Sequence, residues 1–136
     1  MLGKTQLTVS CLGFGGIPIQ RVSEEEAIRV VRHSYERGIT YFDTARNYTV
    51  SEERIGKALN DVRDKVVLAT KSSNRTKKGV LEDLDVSLNN LRTDWIDVYQ
   101  LHNVSSKEVW DQVTAPDGGL EALRQAQREG KIHHLG

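Results

Sequence analysis

Short apolar runs of strand length alternate with stretches of helical period along this chain, and no other feature narrows its fold as far. Leu7–Gly16 (LTVSCLGFGG) reads as a strand ending in a glycine turn, and Leu2–Gln6 as a hairpin arm beneath it. Ser23 opens a helix: Ser23 and Glu26 have the spacing at which each side chain bonds the other residue's backbone N–H. Ala27, Val30, Val31, Ser34 and Tyr35 then share one helical face, and Gly38 ends the helix because glycine takes the left-handed turn without steric cost. Thr40–Phe42 is a short β-rich segment, and Ser51–Leu59 is helical with Ile55 and Leu59 four apart. Val66–Thr70 is a continuous apolar strand, and Gly79–Leu91 is a helix with Leu81, Leu84, Leu88 and Leu91 along one side. Trp95–Leu101 is the next strand, Leu120–Glu129 a helix closed by Gly130, and Lys131–Gly136 the start of a further strand. Asn103–Gly119, the longest connection, reads as a loop with a short helix. The order β-α-β-α-β-α-β-α-β predicts an α/β fold of parallel strands joined by right-handed crossovers. Strands this poor in polar residues fit a sheet covered on both faces.

Composition excludes several partners. Hydrophobic residues make up 38% and charged residues 28% of the 136 positions, a mixture that folds. Lys plus Arg equals Asp plus Glu at 19 each, so nothing electrostatic draws the chain to nucleic acid or an anionic membrane. The one cysteine, Cys11, reads as a small buried side chain and fits a reducing compartment. No apolar run reaches the roughly 18 residues that a membrane span needs, and no basic start precedes an apolar stretch. The expected address is the cytoplasm.

Three predicted strands are each followed at once by an ionisable residue: Asp43, Lys71 and His102. In parallel α/β folds the carboxyl ends of strands face the ligand site, so these three converge on one mouth, with Tyr48 five residues after Asp43 able to lean over it. Each has a plainer reading too. Asp43 and Lys71 can be a structural ion pair at a rim, His102 a satisfied polar residue, and Tyr48 an ordinary loop aromatic. Gly13–Gly16 lacks the spacing of a dinucleotide fingerprint. Asp97, inside a strand, reads as a buried paired acid. His133 and His134 are adjacent and face opposite sides of a strand, so no metal site is expected there. Arg75, Lys77 and Lys78 read as a solvated loop.

The segment Gly38-Ile39-Thr40-Tyr41-Phe42-Asp43-Thr44-Ala45-Arg46-Asn47-Tyr48, continued by Ser51-Glu52-Glu53-Arg54-Ile55-Gly56-Lys57-Ala58-Leu59, resembles the aldo-keto reductase signature. Ala69-Thr70-Lys71, Gln100-Leu101-His102-Asn103 and Leu12-Gly13-Phe14-Gly15-Gly16 resemble that family's other motifs, in the same order. The wording is similar to a microbial branch whose longer members carry a C-terminal iron–sulfur segment, and no cysteine cluster carries that feature over. The resemblance implies NADPH-dependent reduction of a carbonyl, with hydride passing from the nicotinamide to carbon and a proton to oxygen. Tyr48 is then the general acid. A free phenol titrates at about 10, and an ammonium beside it favours the phenolate, the part that falls to Lys71. Asp43 would hold Lys71, and His102 would hydrogen-bond the carbonyl oxygen. The implied substrate contacts are Tyr48, His102 and Asn103, and the implied cofactor contacts Gly15, Gly16 and Asp43. The two glycines fit a simple turn equally well. Where the family usually has glycine after the signature tyrosine, this chain has Thr49, which with Glu52 has the spacing of a second capping box.

The resemblance also implies a partial (β/α)8 TIM barrel. Such a barrel takes about 250 residues. Residues 1–136 then form one domain, the N-terminal half, with about four βα units and the start of a fifth strand. In full-length members an aromatic from a later strand and the loops after the seventh and eighth strands grip the nicotinamide cofactor, so most cofactor affinity is expected to lie outside this stretch. The alternative is a catalytically inactive half barrel that binds a partner or a second copy through its open sheet edges.

Overall fold

A computed structural model of the chain describes residues 1–136. Five parallel strands lie side by side in sequence order: β1 (Gly13–Gly15), β2 (Tyr41–Asp43), β3 (Val67–Ser72), β4 (Ile96–Leu101) and β5 (Ile132–Leu135). Between them run α1 (Glu24–Glu36), α2 (Ser51–Leu59), α3 (Lys77–Leu91), α4 (Lys107–Thr114) and α5 (Gly119–Arg128). Strands that stay in sequence order and are linked through helices on the sheet's flank make a partial TIM barrel. No helix is long and apolar enough to cross a membrane.

The core lies between sheet and helices. Phe42 and Leu68 from the strands meet Val31 of α1, Ile55 and Leu59 of α2, Leu84 and Leu91 of α3, and Leu123 of α5, all buried. Side chains alternate along each strand. On β3 and β4, Thr70, Ser72 and Tyr99 are fully buried toward the helices, whereas Lys71 and Gln100 project from the other face and are half-buried. Burial pushes the Tyr99 phenol well above its ordinary value. At the amino ends of the strands, Arg63 and Asp97 pair at 2.7 Å, Asp97 also accepts from the Leu68 N–H at 2.9 Å, and the guanidinium sits 4.6 Å over Trp95. Asp97 is thus the buried, paired acid that its place inside a strand suggests.

Several local expectations need correcting. The first strand does not span Leu7–Gly16, because only Gly13–Gly15 pairs. Upstream, the Ser10 and Thr40 hydroxyls each accept from the other's backbone N–H at 2.9 Å and take the place of a ladder. Off the ladder, Cys11 is exposed rather than buried. Leu2–Gln6 is not a hairpin arm. It closes on itself through Leu2 N–H to Leu7 O at 2.8 Å, with Gln6 left-handed at φ +63°. Ser23 caps α1 by accepting from the Glu26 N–H at 3.2 Å, but Glu26 does not reciprocate, because its carboxylate binds Arg29 at 2.7 Å. Val30 points outward from α1. Lys77 and Lys78 open α3 rather than lying in a loop, since the Thr76 hydroxyl caps the helix two residues earlier than expected by accepting from the Gly79 N–H at 3.2 Å.

Candidate active site

Asp43 ends β2, Lys71 sits one residue before the end of β3, and His102 follows β4 directly. Parallel pairing therefore sets them side by side along the carboxyl ends of three neighbouring strands. Lys71 lies in register with Gln100. Its ammonium donates to Asp43 Oδ1 at 2.5 Å and to the Thr44 carbonyl at 2.8 Å. The other Asp43 oxygen meets Gln100 Nε2 only at 3.5 Å, which leaves it free to accept a further hydroxyl.

Tyr48 reaches the same place from the β2–α2 loop. Lys71 Nζ lies 5.6 Å from the centre of its ring, and the His102 ring stands edge-on to it at 5.8 Å. His102 Nδ1 is 3.4 Å from Ser73 Oγ, a contact whose donor depends on the ring tautomer. Desolvation holds the imidazole below its ordinary value, and the nearby Lys71 charge adds to the effect against a smaller opposing pull from Asp43. Both effects favour the neutral imidazole at the site.

The loop carrying Tyr48 is stitched to β3 by backbone bonds. Thr44 N–H donates to Ala69 O at 2.8 Å, and Arg46 N–H to Lys71 O at 2.9 Å. Thr49, in the left-handed region at φ +41°, donates its hydroxyl to Gln20 Oε1 at 2.9 Å. The second capping box is therefore absent: α2 has no side-chain cap, and Glu52 is buried beneath the site instead of bonding back to Thr49. Gly16 is also buried. A Cβ there would lie 2.5 Å from Ser51 Oγ, so packing alone demands glycine. Gly15 is exposed, with nothing within 4 Å of a Cβ on the open side. Asn103 is exposed and left-handed at φ +56°, one residue past His102. Glu52, with the donors around it, is the group that sequence reasoning missed. Glu52, Ile55, Gly56 and Leu59 share one helical face, and that period already marks the acid as buried.

A parallel barrel segment gathers a phenol, an ammonium, a carboxylate and an imidazole at its strand ends, groups able to hold and exchange a proton. The Aldo/keto reductase family profile matches residues 11–136, and the chain belongs to that family. It is 33% identical to L-galactose dehydrogenase of Arabidopsis thaliana over 99% of this chain and 46% of that protein. Among solved structures it resembles the holo form of aldo-keto reductase AKR11C1 from Bacillus halodurans, at 34% identity and a TM-score of 0.84, covering 100% of this chain and 48% of that one. It also resembles an aldo-keto reductase from Klebsiella pneumoniae in complex with NADPH, at 28% identity and a TM-score of 0.81, over 96% of this chain and 46% of the other. The chain spans about half the length of the curated relatives it matches.

Proposed function

We propose that this site reduces the carbonyl group of a small molecule to an alcohol, with NADPH as reductant. The observation that carries the reading is the contact chain Asp43–Lys71–Tyr48–His102, formed by groups from three successive βα units. None of these side chains carries a hydride, so the donor set fits a redox cofactor brought from outside. When bound, the nicotinamide would supply the hydride. Asp43, through the oxygen it leaves nearly free, and the open backbone at Gly15 are the groups here that would meet it, with the buried Gly16 setting the turn behind them.

The protein's own part is proton transfer and orientation. His102, neutral, donates a hydrogen bond to the substrate carbonyl oxygen and aims it at the phenol, with Asn103 at the rim of the same mouth. Tyr48 gives its proton to that oxygen as negative charge develops there. The Lys71 ammonium stabilises the charge that the departing proton leaves on the phenol oxygen. Asp43 and the Thr44 carbonyl keep that ammonium in place.

The test is Tyr48→Phe, followed by NADPH oxidation with a panel of small aldehydes and ketones. Loss of the proton donor is expected to lower kcat by about 100-fold or more while the circular dichroism spectrum is kept. Equal turnover in the variant, or no NADPH consumption by the unaltered protein even at saturating cofactor, would contradict the proposal.

A further inference from the structure

A carboxylate that the proton-transfer chemistry does not use lies beneath the site. Glu52 is 0% exposed, on the buried stripe of α2 between helix and sheet. Its Oε1 accepts from Thr70 Oγ1 at 2.8 Å and from Ser87 Oγ at 2.7 Å. Its Oε2 accepts from Asn90 Nδ2 at 3.2 Å and pairs with Arg46 Nη1. An apolar residue would fill this position without the desolvation that a buried charge carries, so the stripe alone gives no reason for an acid.

The origin of the donors gives the reason. Arg46 and Glu52 stand on either side of Tyr48 in the chain, so their pairing closes the Tyr48 loop on itself. Thr70 ties that closed loop to the strand residue next to Lys71, and Ser87 and Asn90 tie it to α3. The backbone bonds to β3 hold residues 44 and 46, whereas the backbone bonds of Tyr48 lie within its own turn, N–H to Ala45 O at 3.0 Å and carbonyl from Ser51 N–H at 2.8 Å, so side chains tie that turn to β3 and α3. We propose that Glu52 is a positioning residue, the anchor that holds the phenol of Tyr48 against Lys71 and His102. The inference rests on the reading of the site as a proton-transfer centre, yet its geometry can be measured without turnover.

Glu52→Gln keeps the shape of the side chain but turns an amide N–H₂ toward donors. Arg46 is one-quarter exposed and can swing to water, so the fold is expected to survive. In NMR spectra of the variant, the ring contact between Tyr48 and His102 is expected to vanish. The His102 titration should rise back toward its ordinary value as water reaches the imidazole. A cooperative melt and a native circular dichroism spectrum should remain. Should Glu52→Gln fail to fold, Arg46→Met decides: it cuts the loop strap and leaves the carboxylate its donors from Thr70, Ser87 and Asn90. A folded variant with the ring contact and the His102 titration unchanged would overturn the proposal, because a purely structural role lowers Tm and moves neither. Unmoved spectra beside a Tyr48→Phe protein that has lost reduction would sink the anchor and spare the reductase reading. A lost ring contact in a protein that never reduces a carbonyl would do the reverse.

Discussion

The amine of Lys71 has two acceptors within 2.8 Å and so presents its charge to Tyr48 from a fixed point. Burial, together with that charge, keeps His102 neutral at a pH where a free imidazole would gain a proton. The sign of the pH effect follows. The folded state binds this proton less readily than the unfolded state, so the contribution of His102 to stability is fully present above about pH 6.5 and is lost as pH falls through its lowered folded value. NMR of the imidazole should show a midpoint below 6.5 in the folded protein, and a midpoint at or above that value would contradict the picture. At this scale the sequence marked Asp43, Lys71 and His102 because strand-ending residues need no tertiary knowledge to place. It did not mark the Glu52 anchor, because its donors Thr70, Ser87 and Asn90 are ordinary polar residues whose shared target exists only once β3 and α3 pack on α2.

Helices α2 and α3 approach unusually closely, and one glycine makes that possible. A Cβ on Gly56 would lie 2.2 Å from the Asn90 carbonyl oxygen and 2.8 Å from Leu91 Cα. Those atoms are backbone and cannot turn aside. Gly56→Ala is therefore expected to destabilise the fold by about 1–3 kcal/mol, read from urea or thermal unfolding, despite alanine's better helix propensity. Equal or higher stability would show that the helices can separate at no cost. Most elements could be read from period and capping: Ser51–Leu59 forms as expected, and β3, α3, β4, α5 and β5 lie within two residues of their predicted ends. The first strand could not be read, because Ser10 and Thr40 exchange hydroxyl bonds where apolar residues suggested a ladder. On α3 the buried line runs Val80, Leu84, Ser87 and Leu91, and the predicted Leu81 and Leu88 are only half-buried. Serine breaks the apolar pattern there because it serves the Glu52 cluster.

For the molecule as a whole, the parallel topology was legible because strand–helix alternation admits few other arrangements. Both sheet edges are open: β1 has only β2 beside it, and β5 only β4. Unpaired strand edges recruit other strands, and Leu12, Ile17 and Trp110 add exposed apolar surface. A polypeptide of residues 1–136 alone leaves both edges unpaired, and we propose that such a piece self-associates, with a mass by light scattering that rises with concentration. A monomer across the whole dilution series would argue against it. Carbonyl reduction at this site is tested by following an atom rather than a rate. The protein is incubated with NADPH carrying deuterium in the transferable position of the nicotinamide and with a small aldehyde, and the alcohol is analysed by mass spectrometry. Carbonyl reduction at this site puts deuterium on the carbinol carbon when the unaltered protein is saturated with cofactor, and almost none with Tyr48→Phe. Unlabelled alcohol, or equal labelling by the two proteins, would contradict it.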